Sequence, residues 1–341
     1  MKAQITPLRV AMGLLVALFV TVIILLKIPS GDTLLLPDVA HPVAPLVRVQ
    51  GAKPAKGGGE LYFVDVQEQQ ASEFDKLFPW LHPHATLIPT AQLIPPGSSN
   101  AAYIQAELRQ MSTSQQVAAA VALRHAGYKV IIHPNGVLVN EIDPTTDAAG
   151  KLQPTDVIVG VNGKPTPTLV SLRAIMAKVK PGQTVTLRML RGKTTVTARI
   201  RTHGERDSNG QVRAVIGFLP AESDTIKLPV KVKIDSGNIG GPSAGLAFTL
   251  EVLRKLGENI THGYKVASTG AINLDGSVSA IGGVKQKTWG AREAGAQVFL
   301  VPVDGGNAKE AKRYAGADLK IIPVTSLDQA LRALAALPKL K

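Results

Sequence analysis

The sequence predicts an α+β protein of two folded units behind one membrane-crossing helix, and three observations carry that expectation. Residues 10 to 26 (VAMGLLVALFVTVIILL) form a run of 17 residues without a charge. Residues 128 to 203 read as short strands and turns, whereas residues 212 to 341 alternate strands with helices. A length of 341 residues fits about two domains.

Composition narrows the classes. A hydrophobic content of 45% supplies an ample core. With 38 basic against 25 acidic residues the formal net charge is +13, which favours anionic surfaces such as lipid headgroups or cell-wall polymers. Aromatic residues make up 4% and no basic run is interleaved with rings, so nucleic acid is not expected as a partner. The absence of cysteine excludes disulfides, thiol catalysis and cysteine-ligated zinc.

In chain order, the apolar run reaches the lower limit of about 17 residues for a spanning helix. Lys2 and Arg9 precede it, which leaves the N-terminus in the cytoplasm and all that follows residue 28 outside. A cleaved signal peptide is the rival reading, but Lys27-Ile28-Pro29 is not a small-residue cleavage site. Five prolines between Pro29 and Pro54, then Gly57-Gly58-Gly59, read as an extended linker with one short strand at 46–50. LYFVDV at 61–66 is a strand. Residues 67–97 stay open; His82-Pro83-His84 lacks further ligands at metal spacing, so no metal site is expected. Two helices follow: 100–110, and a second from Ser112-Thr113-Ser114-Gln115, a capping-box pattern, to Gly127. In the β-rich stretch, strands at 136–139 and 156–161, an Asn162-Gly163 turn, a helix at 169–179 and a hairpin (184–190 with 194–200) are expected. Beyond it come strands at 231–234, 266–269, 298–303 and 320–324, with helices from Ser243, Val284, Asn307 and Ser326.

The stretch DSGNIGGPSAGL (235–246) concentrates the chemistry. Its glycine-rich turn delivers Ser243 to a helix whose Leu246, Leu250 and Leu253 recur at helical spacing, with Pro242 suited to the first helical position. Backbone N–H groups converge at such a terminus and can hold an oxyanion. Serine needs a base. None of the seven histidines lies in a glycine-framed motif, and Gly192-Lys193-Thr194 lacks the first glycine of a phosphate-binding loop, so no ATP site is expected. A lysine remains. Lys285 follows Gly282-Gly283-Val284, where burial would lower its pKa; Lys287 competes, and only one of the two can point inward.

Two resemblances build on these residues. GVLV (136–139) followed by AAGKLQPTDVIVGVNGKP and PGQTVTLRMLRGK resembles a bacterial PDZ domain over about 80 residues. It implies that an extended peptide adds as a strand beside Gly136, Val137, Leu138 and Val139. GGPSAGLAF followed by TGAINLDGSVSAIGGVKQK resembles the proteolytic domain of the Lon family. That resemblance implies a Ser-Lys dyad with Ser243 as nucleophile and Lys285 as general base. Backbone N–H groups at Gly241, Ser243 and Ala244 would hold the oxyanion, and Thr269 would orient the lysine. Many Lon enzymes carry carboxylates where Gly240 and Ala271 stand, so those helpers are absent here. The implied plan is a stub and anchor at 1–28, a linker at 29–59, the first part of a Lon-type domain at 60–127, an inserted PDZ domain at 128–205 and the rest of the Lon-type domain at 206–341. Such a plan is similar to the membrane-anchored Lon-like peptidases of Gram-positive bacteria. It implies an ATP-independent serine endopeptidase at the outer face of the cell membrane, without cofactor or metal, acting on unfolded or exposed protein segments. A PDZ-bound peptide tail and, because Lon domains tend to form rings, a homo-oligomer are the implied partners. The competing class is a PDZ adaptor with a silent Lon-like domain.

Overall fold

The computed structural model describes residues 7–54, 56–94, 99–206 and 210–338; Lys2, part of the orientation argument, lies outside them. Eight α-helices are described: α1 (Pro7–Lys27), α2 (Glu73–Leu77), α3 (Asn100–His125), α4 (Leu169–Met176), α5 (Gly245–Lys255), α6 (Val284–Glu293), α7 (Asn307–Tyr314) and α8 (Leu327–Ala335).

A five-stranded sheet organises the larger unit, in the order His41–Pro42, Glu60–Phe63, Lys265–Ser268, Val298–Pro302, Lys320–Val324. Glu60–Phe63 pairs in parallel with Lys265–Ser268, so segments far apart in sequence share one sheet. Side chains alternate between its faces. Leu61, Phe63, Val266 and Leu300 pack with α3 and α5 through Val121, Leu246, Phe248 and Leu250. Tyr62, Ala267, Phe299 and Val301 pack with α6 and α7 through Val284, Ala291 and Ala311. Each fully buried Leu or Phe contributes roughly 1.5–3 kcal/mol.

The β-rich unit leaves and re-enters this sheet's connections. Its strands run in the order Thr194–Arg201, Thr184–Arg191, Val157–Val161, Ile131–Ile142, Phe218–Lys227. Val137, Val139, Ile158, Leu187, Met189 and Ile200 fill its core with Leu172 of α4. The Asn162-Gly163 turn has positive φ at both residues, as a tight hairpin turn requires. Asp156, fully buried, is neutralised by Arg191 at 2.6 Å. α3 holds the two units together, with Arg109 Nε donating to Thr155 Oγ1 at 2.6 Å.

Three expectations are corrected here. Residues 29–49 are not a loose linker: Pro29–Pro37 is the middle strand of a three-stranded sheet between Val66–Ser72 and Thr86–Pro89. The short strand expected at 46–50 is present as Val47–Val49 and pairs with Val232–Ile234. Pro29, Pro37 and Pro42 sit at strand ends, while Leu34, Val43 and Val47 are buried. The two expected helices are one, α3, because Thr113 Oγ1 bonds back to the Arg109 carbonyl and Ser114 Oγ donates to Pro242 O rather than capping. Pro242 does not open a helix: α5 starts at Gly245, with Ala244 as its N-terminal flank.

Candidate active site

The glycine-rich turn is held from outside itself. Gly241 takes φ +79° and donates its N–H to Glu107 O of α3 at 2.9 Å. A Cβ on Gly240 would come within 2.7 Å of the Glu107 Cβ, so only glycine lets α3 lie this close. Ser114 binds Pro242 O at 3.0 Å, and Gln115 Nε2 donates to Ser236 Oγ at 2.9 Å. Beyond Pro242, the Ser243 carbonyl accepts from Gly270 N at 2.8 Å and from Thr269 Oγ1 at 3.3 Å. Every flank of Ser243 is therefore fixed before any ligand arrives.

The structure places Lys287, not Lys285, at the serine. Lys287 Nζ lies 2.9 Å from Ser243 Oγ, and the residue is 5% exposed. Lys285 Nζ instead donates to Ala85 O at 2.8 Å, with the Tyr314 ring 5.9 Å away. The cause is helix phase. α6 buries Val284, Lys287, Thr288 and Ala291, an i, i+3, i+4, i+7 stripe, and position 285 falls outside it. That stripe was legible in the sequence and points to Lys287. Its N-terminus is set by Gly283 at φ +67°, where Val66 leaves no room for a Cβ.

Burial pushes the Lys287 ammonium down to about 8, against the opposing pull of Asp65 and Glu107. Both carboxylates line the same cleft, of about 570 Å³, as Ser243 and Lys287. Each is held above the usual carboxylate range by burial, and Lys287 opposes that rise in both. Gly240 carries no side chain, but Glu107 reaches the turn from α3: its Oε2 lies 3.0 Å from where a Gly241 Cβ would stand. Sequence reasoning missed Glu107 and Asp65 because neither lies in the two signature blocks.

Two supporting assignments change. The Gly241 N–H is spent on Glu107 O, which leaves the N–H groups of Ser243 and Ala244; among the described residues neither donates a hydrogen bond. Thr269 is fully buried and bonds the Ser243 carbonyl, so its hydroxyl fixes the serine backbone rather than the lysine. Of the histidines, His82 pairs with Asp75 at 2.7 Å and His84 stacks on Trp289 at 3.4 Å. Asp38, His41 and Asp65 are the one group among the described residues with ligand atoms converging, all within 4.8 Å.

In the β-rich unit, Gly136, Val137, Leu138 and Val139 do not offer a free edge. They pair with Ser223, Glu222, Ala221 and Pro220 on one side, while Val137 and Leu138 pair with Ile158 and Val157 on the other. Among the described residues the edge strands of the sheet are Thr194–Arg201 and Phe218–Lys227, and the second lies beside the strand that holds Gly136 to Val139. A cleft of about 980 Å³ lies between the start of Phe218–Lys227 and α4, lined by Gly217, Phe218, Leu219, Leu172 and Met176. The groove is missed from sequence because its strand lies after the residues that carry the resemblance.

Comparison with known proteins matches two stretches of the chain to two domains. Residues 204–337 match the model of the Lon protease (S16) C-terminal proteolytic domain, and residues 113–202 that of the PDZ domain. A Lon protease of Ureaplasma parvum is 30% identical over 40% of this chain and 18% of its own length. A Lon protease of Chloroflexus aggregans is 39% identical over 28% of this chain and 12% of its own. The chain thus spans less than a fifth of the length of these curated relatives. The PDZ domain of an SdrC-like protein from Listeria innocua is 26% identical over 25% of this chain and 92% of its own, with a TM-score of 0.23. This chain carries a PDZ domain joined to a Lon-type proteolytic domain, the domain of a serine peptidase.

Proposed function

We propose that the chain is a membrane-anchored serine endopeptidase that works without ATP through a Ser243–Lys287 dyad. One observation carries this reading: a buried lysine with its pKa lowered to about 8 sits 2.9 Å from a serine in a preformed turn. Once Lys287 has lost its proton, its lone pair takes the hydroxyl proton as Ser243 Oγ attacks a peptide carbonyl. The tetrahedral oxyanion is held by the Ser243 and Ala244 N–H groups. Lys287 then returns the proton to the leaving amine, and water repeats the sequence on the acyl-enzyme.

Further proposals complete the reading. The apolar α1, 21 residues long, anchors the chain, and the positive-inside rule puts the catalytic unit outside the cell. A peptide tail adds as a strand to Phe218–Lys227 against α4. Substrates are unfolded or exposed segments of proteins, because nothing in the proposed mechanism unfolds them.

The test is to incubate the detergent-solubilised chain with a permanently unfolded protein, without nucleotide, beside Ser243→Ala and Lys287→Ala. Wild type is expected to cleave at least about 10³-fold faster than either variant. Equal rates would sink the peptidase reading, and retained binding of peptide tails would then favour the adaptor.

A further inference from the structure

α1 ends at Lys27, and the next residue already belongs to the folded unit: Ile28 O accepts the Glu73 N–H at 2.8 Å. The first turn of α2 is thereby fixed at the exit of α1. α2 is rigidly seated. Ser72 and Asp75 form a capping box, Lys76 pairs with Asp32 at 2.8 Å, and Asp75 holds His82 at 2.7 Å beyond the following 3₁₀ turn, Pro79–Leu81. Asp75 and Lys76 are thus paired within the protein and Glu73 lies half-buried in the first turn of α2, whereas the large apolar groups are left uncovered. Leu77, Trp80 and Leu81, at i, i+3 and i+4, are 54%, 69% and 54% exposed. Phe78 stands edge-on to Trp80 at 5.2 Å and packs on Phe74 at 4.7 Å. Water is a poor environment for such a surface, and tryptophan with leucine is the combination that lodges at the headgroup boundary.

We propose that Glu73–Leu81 lies in the interfacial layer of the same bilayer that α1 crosses, with Leu77, Trp80 and Leu81 inserted among the lipids. The occupant is lipid rather than a second protein, because the patch begins where the transmembrane segment ends. This rests on α1 being a span. The segment gives the catalytic unit a second attachment and so a fixed tilt on the membrane, which one helix alone does not provide.

The chain holds two tryptophans, and they supply the experiment. Trp289, with its indole nitrogen buried, belongs to the folded unit. Full-length Trp289→Phe, with Trp80 as sole reporter, and Trp80→Phe, with Trp289 alone, are reconstituted at high lipid excess. The vesicles contain phosphatidylcholine and phosphatidylglycerol brominated just below the headgroups. Trp80 emission is expected to lose more than half its intensity relative to unbrominated vesicles, and Trp289 emission less than a tenth. Equal, weak quenching of both in protein that resists alkaline extraction would overturn the proposal and leave the span intact. Release of the chain by alkaline extraction would overturn both. A Trp80 signal that responds to protein dilution and not to bromine would assign the patch to a second copy, and the lipid proposal would fall.

Discussion

The proposed catalytic turn and the proposed peptide groove solve opposite problems. The turn is closed by its own protein: α3 occupies Gly240, Gly241, Pro242 and Ser236, and Gly270 with Thr269 fixes Ser243 O. The groove is left open along Phe218–Lys227, whose outward backbone groups have no strand beside them among the described residues. A site that stabilises charge must be organised before the substrate comes, because reorganisation would be added to the barrier. A site that binds by strand addition must keep its hydrogen bonds unmade until the partner supplies them. Rigidity and vacancy are therefore both functional, and they differ in what breaks them.

The largest expected effect separates the two lysines. Lys287→Ala should lower peptide-bond cleavage by about 10³-fold or more, while Lys285→Ala retains most of the activity, both read as kcat/KM on an unfolded substrate. The reverse order would restore Lys285 as base. Next, Gly240→Ala should cut cleavage by about 10- to 100-fold, since its methyl would push α3 off the turn, with peptide binding to the groove unchanged by calorimetry. Met176→Asp should do the opposite. It puts a charge in the apolar cleft and should weaken peptide-tail binding by about tenfold or more, while hydrolysis of a short chromogenic ester stays near wild type.

The smallest effect concerns pH. The proposed base, Lys287, would work as the neutral amine, so kcat/KM should rise about tenfold per unit below pH 8 and level off above it. Glu107 stabilises the ammonium; replacing it by Gln should move the midpoint down by about half a unit to one unit, and Asp65→Asn should act in the same direction. An upward shift would show that these carboxylates act on some other group.

Sequence patterns gave the serine, its turn and the strand-helix alternation, because those follow from local spacing. Choosing between Lys285 and Lys287 needed only the phase of α6 measured from Val284, a signal that is present in the sequence but was outweighed by proximity to the glycines. Glu107 and the strand Phe218–Lys227 are of another kind. Each serves a site whose signature lies in a distant part of the chain, and only chain topology brings them there. The same holds for residues 29–59: five prolines suggest an extended connector, but strand pairing depends on partners at 66–72, 86–89 and 232–234 that local composition does not reveal.

The missing slack at Pro29 has a consequence for reach. No flexible tether separates α1 from the folded unit, and the strand Val66–Ser72 runs from the residue next to Asp65 to the start of α2. Six steps between its seven residues, at about 3.4 Å each, give roughly 20 Å between those ends. With α1 in a bilayer, as proposed, the cleft at Ser243 would lie within a few tens of ångströms of the lipid surface, like a blade at a set height. On that proposed reading, protein segments that emerge close to the membrane would pass under it, and those held farther out would not.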